Sequence, residues 1–477
     1  MNTDLRPYAA MKDPGIPWLG KAPQHWDAKR AKYFFREADD RSTTGEEELL
    51  SVSHITGVTP RSEKNIPMFL AESNVGHKLC QPNDIVVNTM WAWMAALGVA
   101  RQRGIVSPSY AVYRPVKNNG LLPEYVNLLL RTQEYASQYL CASTGVNTSR
   151  LRLYPEEFLR IPLLRPPQHE QALILRFLDH AQRRIRRYIG VKHKLVKALE
   201  EQKHAIIHRV VTQGVEPDVR FKPSGVEWLS NVPAHWKVAA LRHRYSQCLG
   251  KMLDSKRITG NHSLPYLRNT DVQWDRINVH GLPNMDIAPD EYDRYTVKTG
   301  DLLVCEGGDV GRCALWSHQL DICGFQKALH RLRPHSEAQD VPRFMYYALR
   351  AAAKGGAFDD GHQSTIPHLT GEKLRAHRFA FPPRDEQATL VAHLDRSLET
   401  LNKAVTTVQT EINLIREYRS RLVADVVTGK LDVREEASRL PDEVDEPESL
   451  ADADALEGGD EDGVDEDLDA APNEAEV

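Results

Sequence analysis

The chain has 477 residues, 41% hydrophobic and 27% charged, the balance of a globular protein with room for two to four domains. No apolar run approaches the roughly 18 residues that span a membrane, and the N-terminal MNTDLRPYAAMKDPG lacks the apolar core of a signal peptide. The formal net charge of −5 conceals a division: residues 441–477 hold 17 Asp and Glu and no Lys or Arg, so residues 1–440 carry +12. A tail of this composition reads as disordered, and a basic body beside it suits a polyanion-binding protein; a merely solubilising tail is the plainer alternative. Six cysteines (Cys80, Cys141, Cys248, Cys305, Cys313, Cys323) without a CxxC spacing suit buried thiols in a reducing, cytoplasmic setting, with no metal site.

In chain order, the first landmark is GIPWLGKAPQHW at 15–26. A variable stretch follows, about 27–160. IVVNTM (85–90) and AVYRPV (111–116) read as short strands, and PEYVNLLLRTQEYASQYL (123–140) as a helix. Two polar segments stand out: RQRG with Arg101 and Arg103, and TGVNTSRLR (144–152) with Asn147, Thr148, Ser149, Arg150 and Arg152. Next comes RPPQHEQALILRFLDHAQRRI (165–185), where Pro166-Pro167 ends a strand and leads into a helix. From Ile174, steps of four and three give Ile174, Leu178, Ala181, Ile185, Tyr188, Lys192, Leu195, Leu199, Gln202 and Ile206, a stripe at heptad spacing. VVTQG (210–214) follows, with Gly214 as a C-terminal stop.

The same order then recurs. GVEWLSNVPAHW (225–236) repeats the first box 210 residues on, and PPRDEQATLVAHLDRSLETL (382–401) and VVTGK (426–430) repeat the others at an offset of 216. TGDLLV (299–304) echoes PNDIVV (82–87). The second stripe holds Leu390, Leu394, Leu401, Val408, Ile415 and Leu422. Each helix can run about 40 residues, about 60 Å at about 1.5 Å per residue, and two matched stripes supply each other with a partner. Lys192 and Glu411 interrupt the stripes at different places, which suits a hetero-pair of preferred register. The second variable stretch, 237–376, has strands in LLVCEG and ALHRLRP and a helix in VPRFMYYALRAAA (341–353). Its polar segments are LPYLRNTDVQW (264–274), with Arg268, Asn269 and Gln273, and GHQSTIPHL (361–369), with His362, Gln363, Ser364 and Thr365. Each variable stretch is an α+β domain of about 130–150 residues, within the usual domain range.

Catalytic motifs do not emerge. There is no GxxxxGK[ST], no GxGxxG opening a suitable helix and no HExxH. Neither Pro-Pro pair sits in the [N/D]-P-P-aromatic loop of an amino-methyltransferase, and GDVGR (308–312) and DDGH (359–362) read as turns rather than as a nuclease centre. Groove-reading chemistry remains: Arg suits guanine, and Asn or Gln suits adenine, by bidentate bonds. Polar loops of this kind are also ordinary solvated surface.

The Trp boxes, GIVSPSYAVYRP (104–115) and the repeated Pro-Pro boxes resemble the DNA-specificity (S) subunits of type I restriction-modification systems over about 12–435, the acidic tail lying outside. The resemblance implies an α+β fold with two target-recognition domains joined by two antiparallel coiled-coil helices, related by an internal pseudo-twofold. The expected division is 1–165 and 215–381 for the recognition domains, 166–214 and 382–435 for the helices, and 436–477 for the tail. It implies a chain with no catalytic centre or cofactor of its own. S-adenosylmethionine, ATP and Mg2+ would sit on partner subunits. The partners would be double-stranded DNA, two methyltransferase (M) subunits and motor-nuclease (R) subunits. The alternative is a coiled-coil scaffold with two protein-binding domains and no DNA role.

Overall fold

The computed structural model describes residues 5–63, 73–146, 151–253, 260–358 and 368–441. It comprises two compact units, residues 1–193 with 410–477, and residues 194–409. In the first unit, the apolar, β-branched runs AVYRP and IVV form the centre of a four-stranded antiparallel sheet ordered Phe35–Ala38, Ala111–Pro115, Ile85–Val87, Leu97–Val99. In the second unit Tyr245–Leu249, Leu329–Pro334, Leu302–Cys305 and Cys313–Leu315 take the same order, again antiparallel. A two-stranded ladder stands beside each sheet, Asp27–Arg30 with Pro162–Arg165 and Lys237–Ala240 with Arg378–Phe381. The α+β architecture and the internal repeat expected from the sequence are thus present.

Shared buried polar pairs explain why the copies still resemble each other. Asp84, 1% exposed, accepts from Arg114 Nη2 at 3.0 Å, and Asp301, also 1% exposed, accepts from Arg333 Nη2 at 2.7 Å. Each carboxylate also accepts a backbone N–H three residues earlier, from Gln81 and Lys298. This is the aspartate common to PNDIVV and TGDLLV; buried and so bonded, it leaves neither charge unpaired. A second pair is kept with its partners exchanged. Arg165 stacks over Phe34 in the first unit, centroid distance 5.7 Å, while Arg244 stacks over Phe381 in the second, 4.7 Å.

The long helices are Gln168–Gln213 and Arg384–Val427. Both follow directly on the Pro-Pro pairs, whose fixed φ closes the preceding strand and suits the first helical turn. Each begins in one unit and ends in the other. In the first unit, Lys192 pairs with Glu411 at 2.7 Å, and Arg176 bonds the carbonyl of Leu440 past the second helix, so the segments run antiparallel. In the second unit Ile207, Val210 and Val211 share a core with Leu390, Leu394 and Leu398.

The buried stripe departs from heptad spacing. Ile174, Leu178, Ala181, Ile185 and Ile189 are buried, as are Ile207 and Val211; on the second helix the set is Leu390, Leu394, Leu398, Val405, Val408, Ile412, Leu422 and Val426. Ile174 to Ile185, Leu178 to Ile189, Leu390 to Ile412 and Leu394 to Val405 are steps of 11 or 22 residues. An 11-residue repeat gives about 3.67 residues per turn, close to the unstrained helix, whereas heptads need about 3.5 and a left-handed supercoil. The strict 4-3 count therefore slips by one. Leu195 is 42% exposed, and Leu199, Ile206, Leu401 and Ile415 are half-buried.

Three other expectations need correction. The helix read over 123–140 is two, Pro123–Leu130 and Gln133–Ala142. The break falls where the Thr132 hydroxyl bonds the Leu129 carbonyl and Arg131 turns to the carbonyls of His54 and Ile55. The folded body runs past 436: a short helix, Arg434–Arg439, buries Ala437 beside Val433 in the first core. Among the cysteines, Cys80, Cys305, Cys313 and Cys323 are buried, but Cys248 is half-buried and Cys141 exposed. No helix among the described residues is long and apolar enough to cross a membrane.

Candidate nucleic-acid interface

The repeated boxes converge into one joint in each unit, and this joint holds the globular part on the helices. In the first unit Trp26 Nε1 donates to Glu170 Oε1 at 3.1 Å, while His25 Nε2 lies 2.7 Å from Oε2. In the second, Trp236 donates to Glu386 at 2.9 Å and His235 lies at 2.8 Å. Both glutamates stand in the first turn of a long helix, where a negative charge also meets the helix dipole favourably. The next residue fastens the start. Gln171 accepts from Leu122 N–H and donates to the carbonyls of Gly120 and Pro166; Gln387 accepts from Val341 N–H and donates to those of Gln339 and Pro382. The end of the other helix arrives at the same tryptophan. Gly214 and Gly429 both have φ +76°, and a Cβ at Gly429 would come within 2.9 Å of the Trp26 ring and closer still to Pro23. The His-Trp, Glu-Gln and Gly boxes are therefore a positioning device.

Each joint carries a polar loop rooted at the same point of its sheet. Leu153 N–H donates to the carbonyl of Thr89, just past strand Ile85–Val87; Leu369 N–H donates to that of Glu306, just past strand Leu302–Cys305. In the first unit the root is locked further by the reciprocal backbone pair Thr144 and Arg152, each bond 3.0 Å. In the second, buried His330 donates from Nε2 to the Leu369 carbonyl at 2.7 Å, its Nδ1 facing Gln247 Nε2. Burial lowers the His330 pKa and keeps the ring in the neutral form that this pattern needs. The loop tips, with Asn147, Thr148, Arg150, His362, Gln363 and Ser364, lie outside the described residues.

Around the second root the structure gathers several segments singled out from sequence. Asn269 Nδ2 donates to the carbonyl of Gly307 at 3.2 Å, and Gly307 lies against the His368 ring. Gly308 and Gly311 have φ near +80°, so GDVGR is a turn as expected. Arg268, however, is engaged: its Nε and Nη2 each bond Asp271 at 2.9 Å, and Gln273 bonds the Thr270 carbonyl. Burial is slight at Arg268, and the Asp271 bond raises its pKa. These two side chains brace the 3-10 turn Asn269–Asp271 rather than pointing away from it.

Sequence reasoning missed the cations beside this turn. Arg350 and Lys354 lie over the Trp274 ring at 5.8 and 5.3 Å, Trp274 Nε1 donates to Asp309 at 2.6 Å, and Arg312 bonds the Asn269 carbonyl. A signal was available: Arg343, Arg350 and Lys354 recur at seven and four residues along helix Pro342–Lys354, one face of it. In the first unit Arg152 is exposed at its loop root, whereas Arg101 and Arg103 are exposed at the opposite end of the sheet, Arg103 lying 3.8 Å from Glu47. The structure does not bring those two groups together. The half-buried Trp91 and Trp93, after the central strand, lie in the segment following the Thr89 root. Among the described residues no group of three or more His, Cys, Asp or Glu could hold a metal ion.

Residues 249–414 match the family model described as the type I restriction modification DNA specificity domain. No curated protein sequence matches the chain. Among solved structures, one from work on the complex assembly and conformational transition of the type I R-M system is 16% identical, covers 86% of this chain and 99% of its own, and has a TM-score of 0.57. The HsdS subunit from Thermoanaerobacter tengcongensis is 17% identical over 86% and 98%, with a TM-score of 0.40. The type I restriction-modification S subunit from M. genitalium is 13% identical over 88% and 97%, with a TM-score of 0.31.

Proposed function

We propose that this chain is a type I restriction-modification DNA-specificity protein, a reading supported by the family match over residues 249–414, and that it is the non-catalytic subunit that reads a bipartite, asymmetric DNA site. On this reading each unit reads one half of the site. The chain docks two methyltransferase subunits and, through them, motor-nuclease subunits, in the cytoplasm. S-adenosylmethionine, ATP and Mg2+ belong to those partners. One observation carries the reading: two units with the same sheet order and the same loop root bear unlike loops, VNTSR in one and HQSTI in the other. A doubled scaffold with differing polar tips is what recognition of two different half-sites requires. Side-chain donors and acceptors on such tips discriminate base edges, about 1–3 kcal/mol for each good bidentate pair.

The recognition domains then correspond to about 1–165 and 215–381, with 166–214 and 382–435 as the connecting helices. Arg152 and the tip residues are the proposed contacts in the first; Arg101 and Arg103, at the opposite end of the sheet, are left out of that set. In the second, Asn269 and the tip around His362–Ser364 join Arg312, Arg350 and Lys354. The test is a loop exchange. Replacing 146–151 with an unrelated polar loop of equal length, in cells expressing the methyltransferase, should change one half of the methylated sequence and leave the other half and the spacing intact. A change in both halves, or in neither, contradicts the assignment.

A further inference from the structure

The positive charge of the body has one concentrated stretch outside the recognition loops. Residues 183–187 read RRIRR on the first long helix. Ile185 is buried in the seam, which turns Arg184 and Arg187 outward, and both are exposed; Arg183 pairs with Asp179 at 3.1 Å and Arg186 is half-buried. The repeated scaffold does not demand these arginines. At the same register the second helix reads ETLNK, residues 399–403.

The acidic segment departs from the same neighbourhood. Arg176 donates to the carbonyl of Leu440 at 2.6 Å, which ties the last folded residues to the first long helix. Arg176 precedes Arg183 by two turns, about 10 Å along the axis at about 1.5 Å per residue. From that anchor, residues 442–477 hold 17 carboxylates and no cation. Even helical backbone advances about 1.5 Å per residue, so a segment of this length can span the roughly 10 Å to the arginine turn whatever its conformation. Opposite charge, tethering and proximity concur in the first unit, and the second copy has neither the arginines nor a tail.

We propose that the acidic segment 442–477 docks on the arginine turn Arg183–Arg187 of its own helix, as an intramolecular polyanion that DNA must displace. The competition rests on the DNA-binding reading above; the docking does not. A tethered competitor acts at high effective concentration, so it suppresses weak, sequence-independent binding to phosphates more than tight, specific binding.

Carbodiimide coupling of the full chain tests the contact. Arg184→Lys with Arg187→Lys keeps the charge and supplies amines at the site. The native Lys192–Glu411 pair serves as an internal control. Cross-linked peptides between 442–477 and position 184 or 187 are expected at about 50 mM salt. They should fall about tenfold at about 0.5 M salt, where screening is short-ranged, and on adding excess duplex of unrelated sequence. Absence of tail cross-links while Lys192 joins Glu411 overturns the docking. So does an even spread of tail links to exposed lysines elsewhere, such as Lys29 and Lys117. Fluorescence anisotropy on the same samples reports duplex binding. Tail links that persist in duplex-bound protein overturn the competition. A chain that binds no duplex, yet forms the tail links, upholds docking and contradicts the DNA-binding reading instead.

Discussion

Glu170 and Glu386 hold equivalent places in the two copies, but their surroundings differ enough to give different energetics. The Glu170 side chain is 1% exposed and also accepts from the Tyr8 hydroxyl, whereas the Glu386 side chain is 27% exposed. Removing Glu170 strands two buried donors, of Trp26 and Tyr8; water can replace Glu386. Glu170→Ala should therefore destabilise by about 3 kcal/mol and Glu386→Ala by about 1 kcal/mol, given about 1–3 kcal/mol per buried unpaired donor; urea unfolding of the two variants checks the order. His377 supplies a pH dependence. It is packed against Trp228, Phe358 and Phe379, its Nε2 has no hydrogen-bond partner, and burial lowers its pKa from about 6.5 to about 4. Between those values the unfolded chain takes up a proton that the folded chain does not. Stability should thus be whole above about pH 6.5 and fall as pH drops to 4, by up to about 3 kcal/mol. Denaturant midpoints at pH 7 and pH 4.5 should differ less in His377→Phe than in the parent. Arg268 shows where residue chemistry misleads. Its fork suits guanine, but Asp271, three residues on, already fills it, so Arg268→Glu should unfold the turn. Arg152, exposed and outside such a pair, is the informative substitution for DNA binding.

At the scale of elements, repetition made the boxes legible because two copies of one pattern act as their own comparison. The strands, the proline-led helix starts and the glycine stops could be read from residue type and spacing. What the boxes touch could not, since Trp26 and Glu170 are 144 residues apart and only the folded chain brings them together. The polar interruptions at Lys192 and Glu411 were visible as irregularities; their pairing depends on an antiparallel register that no local pattern encodes. The period was legible only roughly, because a one-residue slip accumulates over four turns before it exposes Leu195. That slip makes a prediction. Deleting residues 186–196 together with 407–417 removes one full 11-residue period from each facing segment, so the folded protein should survive. The spacer between half-sites should then shorten by about 5 base pairs, from about 16 Å of helix against about 3.4 Å per base pair. Deleting 186–192 alone breaks the 11-residue phase and should abolish assembly with the methyltransferase. Co-purification and the methylated motif of each variant report both effects; unchanged spacing in a folded paired deletion would mean that the helices do not set it.

For the whole molecule, the doubling itself is the functional statement. One chain holds two copies of a sheet, a joint and a long helix, and on the proposed reading this doubling would offer two unlike recognition surfaces where a homodimer would offer identical ones. The family match covers 249–414, mostly the second copy, and the first copy repeats that copy's sheet order, loop root and joint geometry. Which residues face bases was the least legible feature, because loop tips carry no periodicity and their placement depends on where β pairing puts their roots. The most direct measurement is sequencing of the methylated bases in the host genome with and without this gene. A split, asymmetric adenine-methylation motif should be present in the parent, vanish on deletion and return on complementation. A methylation pattern that is unchanged by deletion, in cells where the partner methyltransferase is expressed and co-purifies with this chain, would contradict the account.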